Sequence, residues 1–166
     1  MIISQRFLLY IVSFFKIGLI SKKMPGTIAS FFGTLILFLI PKDVGGVFWG
    51  AIITFLVGCV ACHLYIIKYK YESDKDPGYV VIDEICGIFI GAFTIYHFAL
   101  KSNIDIFINF LLFRLFDILK PFPIRNIENL MKQSNKTIAF GIMIDDVIAG
   151  IFASIIQILI RINVDF

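Results

Sequence analysis

VVIDEICGIFIG (residues 80–91) and GIMIDDVIAGIFAS (residues 141–154) carry one pattern twice. Each reads Ile-Asp-acid, then a small residue and Gly, then Ile-Phe. The second copy lies in an apolar stretch from Thr137 to Ile160 with no basic residue before Arg161. An aspartate at mid-bilayer depth costs about 2.5–3.5 kcal/mol on the insertion scale, so two adjacent carboxylates need a reason. The spacing supplies one. Asp83, Gly87 and Gly91 recur every fourth residue and share a helix face, as do Asp146, Gly150 and Ser154. Faces of small residues let membrane helices approach closely. The pattern predicts two helices packed through these faces, Asp83 opposite Asp146, with Glu84 and Asp145 at the flanks.

Four carboxylates converge only if protons or a cation intervene. At ~4 Å and an effective dielectric of ~20, each like-charge pair repels by about 4 kcal/mol. Oxygen ligands without supporting His or Cys suit Mg²⁺ or Mn²⁺ rather than Zn²⁺. Asp83, Glu84, Asp145 and Asp146 are therefore the candidate metal ligands.

The rest of the chain reads as membrane protein. Of 166 residues, 59% are hydrophobic and 16% charged, and 19 are Phe. Mean hydropathy is +0.93. The length allows one domain, taken as residues 1–166. A net charge of +3 gives no indication of nucleic acid. Apolar runs at 26–40, 47–67, 77–100, 104–119 and 137–161 predict an all-α, polytopic membrane helical bundle of four to five hydrophobic helices. Asp76-Pro77 is expected to cap the third at 77, and Thr137 the fifth. Both acid pairs would then lie about two turns into their helices. Residues 1–20 read as a retained N-terminal helix, interfacial or packed on the bundle. Their run Phe7–Phe15 lacks a small-x-small cleavage site and is interrupted by Lys16. The segment 120–137 opens with two prolines and is expected to carry a short surface helix.

Three cysteines make no disulfide framework. Cys59 and Cys62 form a lone C-x-x-C in an apolar run and read as packing residues, as do His63 and His97 as packed or interfacial side chains. On a five-span model Lys16, Lys22, Lys23, Lys68, Lys70, Lys75, Lys120, Arg125, Lys132 and Lys136 fall on one side. Lys42, Lys101 and Arg161 fall on the other. The basic side is expected to be cytoplasmic, and both acid pairs lie near it.

Two further stretches carry cations. In FRLFDILKPFPI (113–124), Arg114, Asp117 and Lys120 follow at i, i+3, i+6 before Pro121 ends the helix. Arg offers a fork and Lys a point charge to a phosphate. In KKMPGT (22–27), Lys22 and Lys23 stand beside a Pro-Gly turn with the Thr27 hydroxyl at a helix start, where free N–H groups favour phosphate.

With these stretches in hand, the sequence resembles the phosphatidylglycerophosphatase A family. MPGTIAS (24–30), DPGYVVIDEICG (76–87), FRLFDILKPFPI (113–124) and GIMIDDVIAG (141–150) follow the family's order and cover most of residues 20–155. Ala29 stands where the family's Pro-Gly-Thr-x-Gly-Ser has its second Gly. The resemblance implies a Mg²⁺-dependent lipid phosphatase of the bacterial inner membrane, converting phosphatidylglycerophosphate to phosphatidylglycerol and inorganic phosphate. The expected catalytic residues are Asp83, Asp146, Asp117 and Lys120. The expected phosphate-binding residues are Lys120, Arg114, Lys23 and Thr27, with phosphatidylglycerophosphate and membrane lipids as the partners. Water attack and an aspartyl-phosphate intermediate are both open. The alternative function is a non-enzymatic membrane protein using the acids as a cation or proton path. It requires a polar route to the far side, where the connections offer only Asp43 and Asp105.

Overall fold

The computed structural model describes residues 4–70, 77–131 and 137–164, and its secondary structure over those residues is helical. The helices are α1 (Gln5–Val12), α2 (Pro25–Leu39), α3 (Val44–Tyr65), α4 (Ile82–His97), α5 (Asn103–Leu119), α6 (Ile124–Met131) and α7 (Ile138–Val164). Each of the five apolar runs is one helix: α2, α3, α4, α5 and α7. Among the described residues two are long and apolar enough to cross a bilayer, Val44–Tyr69 and Ile138–Asn163. At ~1.5 Å per residue α2, α4 and α5 reach only about 23–26 Å, short of the ~30 Å hydrocarbon core.

Local chemistry sets most of the ends. Pro25 occupies the first turn of α2, where a missing N–H costs nothing. The Asp43 carboxylate accepts from Gly46 N at 2.6 Å and starts α3. A capping box starts α5: Ser102 Oγ accepts from Asp105 N at 3.0 Å, and Asp105 accepts from Ser102 N at 2.9 Å. Lys120 ends α5 in the left-handed conformation with φ 42°, and Pro121 follows. The surface helix expected after the two prolines is α6.

Two helix starts differ from expectation. The third apolar helix begins at Ile82 rather than 77, and its cap residue is Val81. Pro77–Val81 instead folds as a turn: Val80 N donates to Pro77 O at 2.8 Å and Val81 N to Val12 O at 2.9 Å. A long-range backbone contact therefore claims this segment before a helix can. Asp83 consequently lies in the first turn of α4, not two turns in, while Asp145 keeps its place two turns into α7. Asp76 lies outside the described residues. Thr137 directly precedes α7, and its hydroxyl donates to Met131 O at 2.7 Å.

The N-terminal helix is also shorter than expected. It ends at Val12, and Phe14, Phe15 and Lys16 turn the chain through positive φ before a 3₁₀ turn at Ile17–Leu19. Of the two expected placements α1 takes the packed one, burying Leu8 and Val12 in a cluster with Ala61, Cys62 and Tyr65 of α3. Cys62 is fully buried there and Cys59 half-buried, both as free thiols. His63 and His97 lie at exposed positions.

Helices α2, α4 and α7 run away from one end of the bundle, and α3 and α5 run toward it. That end collects Lys16, Lys22, Lys23, Lys68, Lys120 and Arg125 among the described basic residues. Lys42 meets Asn103 at the opposite end. The outer faces are apolar. Trp49, Ile53, Leu56 and Val60 form a stripe along α3, each more than half exposed, and Ile104, Leu111, Leu115 and Ile118 another along α5. Contiguous exposed apolar stripes on two helices are what a lipid-facing surface requires. The protein is an all-helical membrane protein.

Candidate active site

The site is built where α4 and α7 touch. A Cβ placed on Gly87 would lie 2.8 Å from the Asp146 carbonyl oxygen and 2.5 Å from the Phe113 ring. A Cβ on Gly150 would meet the Gly87 carbonyl. Only glycine allows this approach, and the approach sets Asp83 and Asp146, each four residues N-terminal to its glycine, side by side. One carboxylate oxygen from each of Asp83, Glu84 and Asp146 lies within 4.8 Å of the others.

Glu84 joins the group rather than flanking it, and the reason lies in α2. A Cβ on Gly26 would collide with Glu84 Oε1, so the Pro-Gly-Thr stretch leaves an opening that this carboxylate fills. Ala29, in contrast, is helical and fully buried in the core, so its position makes no demand for glycine.

Asp145 takes the other course. Lys120 Nζ meets Asp145 Oδ2 at 2.7 Å, and the Asp145 side chain is 5% exposed. Left-handed backbone at Lys120 costs about 1–2 kcal/mol for a residue with a Cβ. It turns the chain out of α5 at the residue whose ammonium reaches α7. Behind the acids, Arg114 Nη1 pairs with Asp117 Oδ2 at 2.6 Å and donates to Ser30 Oγ at 3.2 Å. Ser30 in turn donates to Gly26 O at 2.7 Å, which ties the arginine to the same turn of α2 that receives Glu84.

Asp83, Glu84, Asp117, Lys120, Asp145 and Asp146 line one cavity of about 140 Å³. Lys23 and Thr27 are not among the described residues lining it. Lys23 is exposed in the loop before α2, and Thr27 sits half-buried in the first turn of α2. Sequence reasoning missed Gly26 and Ser30 as supports. Their signal was present, because both belong to PGTIAS and stand four residues apart on one helix face.

The electrostatics call for positive charge. Burial first, and the Asp146 carboxylate next, push the Glu84 carboxyl well above its usual range. Glu84 Oε2 is buried and finds no hydrogen-bond partner among the described residues. The first turn of α4 offsets part of this, since Asp83 and Glu84 lie at the positive end of its dipole. Three close carboxylates, one of them with an orphaned oxygen, fit a hard divalent cation with oxygen ligands.

Comparisons with known proteins follow this geometry. The sequence model of one family, described as Phosphatidylglycerophosphatase A, matches residues 10–161. A Haemophilus influenzae protein named Phosphatidylglycerophosphatase A is 41% identical over 138 residues, covering 80% of this chain and 76% of that protein. A Bacteroides thetaiotaomicron protein named as a candidate phosphatidylinositol-3-phosphatase is 34% identical over 95 residues, 52% of each chain. No solved structure matches the chain at a significant level.

Proposed function

The chain belongs to the phosphatidylglycerophosphatase A family, and from that premise we propose that the acid cavity is where its reaction takes place. The protein is a lipid phosphatase of phosphatidylglycerol synthesis, acting on phosphatidylglycerophosphate. The observation that carries the site assignment is the convergence of Asp83, Glu84 and Asp146 within 4.8 Å, in a cavity that also takes in Lys120.

Asp83, Glu84 and Asp146 would hold Mg²⁺, the three carboxylates being close and Glu84 keeping an orphaned oxygen. When bound, the ion supplies Lewis-acid polarisation of the phosphoryl oxygens. Lys120, 26% exposed at the cavity mouth, meets the entering phosphate with its ammonium while keeping Asp145 as its anchor. Arg114 pairs with Asp117 at 2.6 Å and holds it on the wall of the cavity that Asp146 also lines. Asp117 is the group placed to take the proton of an attacking water. The water oxygen forms the new bond to phosphorus, the bond from phosphorus to the glycerol oxygen breaks, and that oxygen gains a proton. Phosphatidylglycerol and inorganic phosphate leave.

Phe113 is fully buried and packs on Gly87 directly beneath the acids. The family assignment favours the enzyme over a carrier. The basic end carrying the site would face the cytoplasm of a bacterial inner membrane by the positive-inside rule. The acyl chains then stay in the bilayer while the headgroup reaches the acids.

The test is phosphate release from phosphatidylglycerophosphate by purified protein. Asp146→Asn should lose at least about a hundredfold in kcat with helical content unchanged by circular dichroism. EDTA should abolish activity, and excess Mg²⁺ should restore it. Full activity in EDTA, or wild-type turnover in Asp146→Asn, would remove the acids from the mechanism.

A further inference from the structure

A second cavity of about 370 Å³ adjoins the acid cavity, and Gly78 lines both. Pro25, Ser21 and Lys22 form part of its wall, with Leu19 and Tyr79. Lys22 is exposed, and among the described residues no hydrogen bond or ion pair engages its ammonium. The turn that carries it is folded: Ser21 Oγ accepts from Lys23 N at 3.2 Å and from Met24 N at 3.4 Å. Leu19 of the wall and its sequence neighbours Ile20 and Met24 are all strongly exposed.

The order of these features is the order of groups in the substrate. The proposed reaction puts the terminal phosphomonoester in the acid cavity. One glycerol unit back along the molecule comes an anionic phosphodiester, and beyond it the acyl chains. Next to the acids, past Gly78, comes a cation at Lys22, with the exposed apolar side chains of Leu19, Ile20 and Met24 around it in sequence. We propose that this second cavity is the subsite for the substrate's phosphodiester and its glycerol, with Lys22 as the counter-ion. The assignment rests on the lipid phosphatase reading of the first cavity and deepens it. It makes the enzyme read two phosphates rather than one, so that Lys22 determines specificity and takes no part in the chemistry.

Product inhibition separates the two subsites. Dioctanoyl phosphatidylglycerol carries the diester without the monoester, and inorganic phosphate carries only the chemistry of the monoester site. In mixed micelles of neutral detergent, Lys22→Gln should raise the inhibition constant of phosphatidylglycerol, and the KM for phosphatidylglycerophosphate, by about three- to tenfold. The kcat and the inhibition constant of inorganic phosphate should stay within about twofold of wild type, and Lys22→Arg should restore both raised constants. Lys68→Gln removes an exposed lysine from the same end of the molecule and should shift neither.

Equal inhibition of wild type and Lys22→Gln by phosphatidylglycerol overturns the proposal. So does an absence of such inhibition in wild type, or an equal shift in Lys68→Gln, which would mean general surface charge. Equal inhibition by dioctanoylglycerol, which has no phosphate, overturns it in favour of acyl-chain binding. A wild-type protein that releases no phosphate from phosphatidylglycerophosphate overturns the underlying activity, and the subsite with it.

Discussion

Replacing Gly87 with alanine should cost far more activity than a single methyl group suggests. The added Cβ would lie 2.8 Å from the Asp146 carbonyl oxygen and 2.5 Å from the Phe113 ring, whereas ordinary contact begins at 3.4 Å. The Phe113 ring can tilt, but the Asp146 carbonyl belongs to the backbone of α7 and cannot yield alone. The helices must therefore separate by about 0.6 Å at the residue that carries a candidate ligand. Overpacking of this kind costs roughly 1–3 kcal/mol of stability. The functional loss should be larger in proportion, because sites of this class tolerate only about 0.5 Å of misplacement. A displacement of that size predicts a roughly 10- to 100-fold fall in kcat and a weaker response to Mg²⁺. Steady-state phosphate release in detergent, with metal titration, measures both. Gly33→Ala is the control: its Cβ would meet the flexible end of Ile85 at 3.3 Å and Ile88 at the ordinary contact distance of 3.4 Å, and should leave kcat within about twofold. Wild-type kcat and Mg²⁺ dependence in a folded Gly87→Ala would refute close helix approach as the device that assembles the site.

Three further outcomes follow from the same contacts. Arg114→Lys keeps the charge but cannot hold Asp117 and Ser30 together in the geometry seen, at 2.6 and 3.2 Å, so kcat should fall at least about tenfold with the fold intact by circular dichroism. Lys120→Met leaves the buried Asp145 without its 2.7 Å partner. It should lower stability by about 1–3 kcal/mol in thermal unfolding, and Lys120→Met with Asp145→Asn should recover part of that loss. In a cysteine-free background in whole cells, a membrane-impermeant thiol reagent should label Lys101→Cys and spare Lys22→Cys, and the reverse pattern would invert the proposed orientation.

Much of the fold could be read before any coordinates, because apolar runs in a membrane protein have one way to satisfy their backbones. All five runs are helices, and the repeated acid-and-glycine spacing located the contact between α4 and α7. The symmetry of that spacing misled in one respect. It treated Glu84 and Asp145 as equivalent flanks, whereas the first faces an opening at Gly26 and the second faces the ammonium of Lys120. Nothing within IDE or IDD distinguishes them, since the difference is made by α2 and by the end of α5.

The sequence by itself determined the helical class, the membrane setting, the acids proposed to hold a cation and the family they resemble. These depend on composition and on spacing along single helices, which local sequence encodes. The tertiary structure decided which three of the four acids meet, where α4 begins and what holds Arg114 in place. Those outcomes depend on distant segments: Val12 pairs with Val81, Gly26 receives Glu84, and Ser30 accepts from Arg114. A contact across 84 positions, as between Ser30 and Arg114, leaves no trace in the spacing of either stretch.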